Sequence, residues 1–193
     1  MLYLWWPVRY SISSGQVLKE PYTVAKARVV IKEMTDSLVM DLLEKKVVTD
    51  QMVISIGYDT TVPDGYRGAM STDYYGRQAP KPAHGSVNLG GHTASLRLIS
   101  DAVTALFDRI ADPQLLVRRM YVVANHVIPE SEAGGIQLSL FDELPDTGKE
   151  QKAQEAILAI RRKFGKNAIL KGLDFEEGAT TIERNTQIGG HKA

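Results

Sequence analysis

The sequence predicts an α+β domain: a four-stranded sheet with two helices on one face, in the order β-α-β-β-α-β, followed by a helical C-terminal tail. Two segments carry apolar residues at spacings of three and four, and the stretches around them alternate apolar and polar positions instead. Each helical segment has a single apolar stripe to bury. The economical arrangement therefore lays both helices on one side of the sheet and leaves the other side for a ligand. With 193 residues and 44% hydrophobic content, the chain is long enough for one core of roughly 100 to 150 residues plus appendages.

The first predicted strand covers Ser11 to Leu18. From Thr23 to about Lys46, Ala27, Ile31, Met34, Leu38 and Leu42 make one helical stripe, with Lys32, Glu33, Asp36 and Glu44 falling elsewhere. Gln51 to Asp59 switches period, with Met52, Ile54, Ile56 and Tyr58 on one side and Val53, Ser55 and Gly57 on the other. Between Thr60 and Pro82 the chain is rich in Gly, Pro, Asp and Tyr, which suits a long loop or ragged hairpin. A short strand follows around Gly85 to Leu89, and Gly90 and Gly91 read as a turn. Ser95 can cap a second helix with Leu96, Ile99, Val103, Leu106 and Ile110 along one side, ending before Pro113. Val117 to Ile128 is a long β-rich run.

After Pro129 the composition changes. SEAGG is a flexible link, QLSLFDELPDTG a short apolar motif among acids, and Gly148 to Gly165 a helix with Ala153, Ile157, Ile160 and Phe164 on its apolar side. Arg161, Arg162 and Lys163 crowd the end of that helix, where cations suit its dipole. The remainder shows no clear element. These shifts divide the chain into 1–9, read as a linker cut from a preceding domain, 10–130 as the folded domain, 131–147 as a linker, and 148–193 as a tail of unassigned role.

Lys plus Arg and Asp plus Glu balance at 23 each, so any nucleic-acid binding must come from a local basic face. The absence of cysteine removes disulfides, thiolate metal sites and cysteine nucleophiles together and fits a reducing compartment, with the cytoplasm the simplest assignment. MLYLWWPVRY is far shorter than the roughly 20 residues of a membrane span and lacks a cleavage site, so no membrane partner is expected.

Nucleotide-transfer enzymes need a phosphate-cradling loop or paired carboxylates around two metal ions, and neither is evident. Asp142 and Glu143 read as acidic flanking of a peptide motif. His84, His92, His126 and His191 have no short spacing that would put two on one helical face, so no metal site is expected. His84 and His92 suit loops or phosphate neighbourhoods, and His126 a satisfied strand histidine. Ser71, Ser86 and Ser95 lack a nucleophile-elbow setting.

Gln137, Leu138, Ser139, Leu140 and Phe141 form the sharpest motif. Leu138, Leu140 and Phe141 are apolar anchors in a solvated stretch, able to fill hydrophobic subpockets of a groove while the Gln137 amide bonds at its rim. The other reading is a short strand covering the domain edge. The pentapeptide is similar at every position to the bacterial sliding-clamp-binding motif.

Together with Ser11-Ile12-Ser13-Ser14-Gly15-Gln16 at the domain entrance and Val117-Arg118-Arg119-Met120-Tyr121-Val122 in the last strand, the chain resembles the C-terminal little finger of Y-family translesion DNA polymerases, over roughly residues 10 to 130. Arg184-Asn185-Thr186-Gln187-Ile188-Gly189-Gly190-His191 is similar to the tail of Gram-positive members. The resemblance implies a sheet lying in the major groove of template-primer duplex and bonded chiefly to phosphates. It makes Ser13, Ser14, Gly15, Arg77, Lys81, His84, Arg118 and Arg119 the candidate DNA contacts: hydroxyls and an unobstructed glycine N–H from the first strand, guanidinium forks from the last, and cations from the loop.

Gln137 to Phe141 are the corresponding clamp contacts. The family's catalytic carboxylates, which would hold magnesium in the parent polymerase, have no counterpart in this sequence. Polymerisation and its cofactor are therefore not expected of this chain. The long insertion from Thr61 to Pro82 departs from a compact little finger. The rival reading is a protein-interaction adaptor whose sheet binds another protein and whose docking peptide is QLSLF.

Overall fold

The computed structural model describes residues 10–72, 76–133, 147–188 and 191–192. The element order is β1 (Tyr10–Tyr22), α1 (Val24–Glu44), β2 (Val47–Tyr58), a small hairpin of β3 (Met70–Thr72) and β4 (Gln78–Pro80), β5 (Ala83–Thr93), α2 (Leu96–Ile110) and β6 (Val117–Pro129). Then come α3 (Thr147–Phe164), two 3-10 turns, α4 (Thr181–Arg184) and the pair β7 (Gln187–Ile188) and β8 (His191–Lys192). The main sheet has the order β1-β6-β2-β5, antiparallel throughout. Both α1 and α2 lie on one face of it, as the paired stripes predict.

Alternation decides which side chains meet the helices. Met52, Ile54 and Ile56 of β2 and Met120, Val122 and Ala124 of β6 point inward and are buried against Ala27, Ile31, Met34 and Leu38 of α1 and Ile99, Val103 and Phe107 of α2. Each of the larger side chains among them, Val, Leu, Ile, Met or Phe, contributes about 1.5 to 3 kcal/mol when taken fully out of water. Thr23 caps α1 through Lys26 N, and Ser95 caps α2 through Leu98 N. Arg28 bonds Asp108 at 2.8 and 2.9 Å and ties the two helices together on their solvent side. That bond holds the Asp108 carboxyl below its ordinary pKa.

Several expectations from the sequence need correction. The expected strand at 85–89 runs from Ala83 to Thr93, so Gly90 and Gly91 lie inside β5 rather than in a turn. Gly90 has φ +76 and sits where the β2–β5 register shifts between Thr49 and Gln51. It is a bulge, for which glycine is suited because it enters the left-handed region without steric cost. The insertion at 60–82, by contrast, contains a hairpin as expected, with β3 paired to β4 and anchored where Lys81 N meets Ala69 O at 2.8 Å.

The tail differs most. Its final stretch, which shows no periodic signal, folds as short turns against α1. Glu33, expected among the solvated residues, is 1% exposed. It accepts Thr180 N at 2.7 Å, Thr180 Oγ1 at 3.0 Å and Thr181 N at 3.0 Å. Lys171 pairs with Asp36. Helix α1 is therefore packed on two sides, by the sheet and by the tail.

The expected apolar side of α3 is not its packing side. Gln154 is buried while Ala153, Ile160 and Phe164 face outward and Ile157 is half-buried. Polar contacts decide the orientation. Glu150 accepts Ser95 Oγ at 2.9 Å and Arg97 N at 2.9 Å, at the start of α2, and Arg162 reaches Glu44 at the end of α1.

Candidate nucleic-acid interface

The sheet face opposite α1 and α2 is assembled by register. Ser13, Gly15 and Val17 of β1 stand across from Val123, Tyr121 and Arg119 of β6. Those three stand across from Val53, Ser55 and Gly57 of β2. Gln51, Val53 and Ser55 in turn meet Asn88, Ser86 and His84 of β5. No Asp or Glu occurs among these paired positions. No described helix lies on this face, because α3 packs against the helical layer. Ser13, Gly15, Arg119, His84, Ser86 and Asn88 are all exposed.

The face has little relief, for a local reason. A Cβ on Gly15 would come within 2.7 Å of the Tyr121 ring, and one on Gly57 within 2.5 Å of Arg119 Cγ and Nε. The Tyr121 and Arg119 side chains therefore lie down across the neighbouring strands, over glycines that leave room for them. Three amides are fixed in line across the sheet: Gln51 Nε2 donates to Asn88 Oδ1 at 2.9 Å, and Asn125 Nδ2 donates to Gln51 Oε1 at 3.1 Å.

The candidate DNA contacts predicted from sequence divide into three groups, on the open face, at the β1 edge and by the β3–β4 hairpin. Ser13, Gly15, Arg119 and His84 share the open face. Gly15 does so beneath the Tyr121 ring, which corrects the expectation of an unobstructed glycine. Ser14 points the other way, toward the tail, where Arg184 Nη2 reaches its Oγ at 3.4 Å. Arg118 falls at the irregularity of β6 between Gly57 and Tyr58, and its Nη1 donates to Leu18 O at 2.6 Å. Part of its guanidinium is thereby committed to closing the β1 edge. Arg77 and Lys81 are exposed on and beside the β3–β4 hairpin, with Lys81 close to His84 in the chain. Gln137, Leu138, Ser139, Leu140 and Phe141 lie outside the described residues.

The amide line and the hydroxyls Ser55 and Ser86 were missed as site residues. Their signal was present in the alternation, which assigns the polar member of each pair to the outer face. At one end of the sheet, His126 (φ +52) bonds Asp50 Oδ1 at 2.8 Å through Nδ1, and His92 Nε2 lies 3.3 Å from the His126 carbonyl. His126 is thus a satisfied strand histidine, as expected, whereas His92 lies inside β5 rather than in a loop. Among the described residues no cluster of three or more His, Cys, Asp or Glu is arranged to hold a metal ion, and no helix is long and apolar enough to cross a membrane.

Comparison with curated proteins returned no match. Among solved structures, the complex of beta-clamp processivity factor and little finger domain of PolIV aligns at 10% identity with a TM-score of 0.40, covering 69% of this chain and 100% of that one. That likeness is too loose to transfer a contact. The family model for the impB/mucB/samB family C-terminal domain matches residues 9–140, a span that takes in the whole of β1 to β6. The chain therefore belongs to the impB/mucB/samB family through its C-terminal domain, the little finger of the Y-family DNA polymerases.

Proposed function

We propose that this chain grips the template-primer duplex of a translesion polymerase through its phosphates, without reading sequence, while its 131–147 segment tethers it to the bacterial sliding clamp in the cytoplasm. The observation that supports the reading is the open sheet face, a broad surface free of paired carboxylates that offers hydroxyls, amides and the Arg119 guanidinium. Ser13, Ser55 and Ser86 suit phosphate oxygens, and Arg119 supplies a charge-assisted fork. Arg77, Lys81 and His84 extend cationic character toward the hairpin. Ser14, Gly15 and Arg118 serve at the edge of β1.

Such contacts carry no base information, which suits a partner whose template is damaged. Nucleotide transfer, with its magnesium, belongs in this reading to the parent's palm. Each contact is weak alone. A clamp encircling the same duplex raises the effective concentration, so two modest interactions multiply.

Fluorescence anisotropy with a primed template tests the grip. Arg119→Ala is expected to weaken binding roughly 5- to 10-fold and to lower the slope of log K against log salt by about one. Affinity and slope unchanged from wild type would sink the DNA reading and leave the adaptor. For the tether, Leu140→Ala with Phe141→Ala is expected to abolish clamp capture while shifting the melting temperature by no more than about 2 °C. A large fall in melting temperature would make the segment a structural part of the domain.

A further inference from the structure

Between β1 and the tail lies a cleft of about 500 Å³, lined by Gly15, Gln16 and Lys19 from the strand and by Thr180, Glu183 and Arg184 from the tail. Gln16 Nε2 donates to Thr180 Oγ1 at 3.1 Å across it, and Lys19 pairs with Glu183 at one side. Arg184 is half-buried there. Its guanidinium makes one hydrogen bond among the described residues, the long 3.4 Å contact to Ser14 Oγ, and no ion pair to it occurs among them.

Two carboxylates are near. Glu33 is occupied on both oxygens by Thr180 and Thr181, and Glu183 is taken by Lys19. Burial pushes the Arg184 guanidinium below its ordinary pKa, with Glu33 pulling the other way. No Arg184 nitrogen is both buried and unpartnered among the described residues, so its remaining donors open onto the cleft, where a half-buried cationic fork suits an anion. The fork geometry matches a phosphate bidentately.

We propose that this cleft is a phosphodiester site, in which Arg184 and Ser14 take one backbone phosphate of bound nucleic acid at the edge of β1. The site rests on the DNA-gripping reading and extends it. Gly15 and Val17, exposed on the open face, also line the cleft, and Ser14 borders it through its bond to Arg184, so a strand crossing that face meets the cleft as it passes β1. The tail, beyond the span matched by the family model, thereby becomes part of the grip.

The test is salt-dependent anisotropy of the full 193-residue chain with a primed template, using Arg184→Gln beside Arg119→Ala. Arg184→Gln is expected to raise Kd about 5-fold near 0.1 M salt and lower the salt slope by about one, with the melting temperature unchanged or higher. If Arg119→Ala weakens binding and Arg184→Gln does not, the cleft is no phosphate site and the open-face interface stands. If neither weakens binding, both readings fail.

Loss of melting temperature with wild-type DNA affinity would make Arg184 structural and overturn the site. So would loss of clamp capture with DNA binding intact, which would assign the cleft to an acidic protein surface. Should Arg184→Gln not fold, Arg184→Lys keeps the charge and loses the fork. It is expected to bind about 2- to 3-fold more weakly with the slope preserved, and wild-type affinity there overturns the proposal.

Discussion

Arg119 is aimed by a residue that has no side chain. A Cβ at position 57 would sit 2.5 Å from Arg119 Cγ and Nε, and the backbone of Gly57 needs no positive φ. Gly57→Val should therefore be tolerated by β2, where a branched residue suits the strand. The cost comes from moving a flexible side chain and is expected to stay within about 1 kcal/mol in chemical denaturation. Arg119 would be lifted off the sheet, so DNA affinity should fall about as far as in Arg119→Ala. Wild-type affinity in Gly57→Val would mean that the guanidinium works equally well wherever its stem points.

The elements that sequence periodicity identified are those whose order comes from apolar burial. Helices α1 and α2 and strands β2 and β6 declared themselves because Ala27, Ile31, Met34, Met52, Ile54 and Met120 repeat at the period of the element that buries them. β5 was cut short because Gly90 and Gly91 resemble a turn when the pairing partner that makes them a bulge is not visible. The tail was illegible for a different reason. Its anchors are Glu33 and Asp36, acids that any pattern reads as solvated, and its own partners are backbone N–H groups and Lys171. Of the DNA-contact candidates named from the sequence, Ser13 and Arg119 lie on the open face, whereas Ser14, named with them, faces the tail.

Asp36 makes the tail contact testable at the level of an element. Burial outweighs the Lys171 attraction and raises the Asp36 pKa, so the folded state holds that proton more tightly than the unfolded chain, whose Asp titrates near 4. Stability attributable to Asp36 is thus greatest at acid pH and declines as pH rises through the window from about 4 to the raised folded value. Lys171→Met removes the opposing cation and widens that window. The variant is expected to lose about 1 to 3 kcal/mol at neutral pH and less near pH 4, measured by urea denaturation at both. A deficit independent of pH would show that Lys171 acts through packing alone.

At the scale of the whole molecule the tail adds a layer over α1, covering Glu33 and Met40. A chain ending at Ala133 would expose that side of α1 and strip Glu33 of all three donors. Its melting temperature is expected to fall by about 10 °C, corresponding to roughly 3 to 5 kcal/mol at this size. Equal melting of the two chains would make the tail an ornament on an autonomous domain.

The main sheet begins at Tyr10 and ends at Pro129 on adjacent antiparallel strands, with Tyr10 opposite Val127. Both attachments thus leave from one corner. Traction between whatever is joined before Tyr10 and whatever holds the chain beyond Pro129 would peel β1 from β6 rung by rung, the mechanically weakest way to load a ladder. Gln16–Thr180 and Lys19–Glu183 lie farther along the same strand, where they act as stitches that arrest the tear.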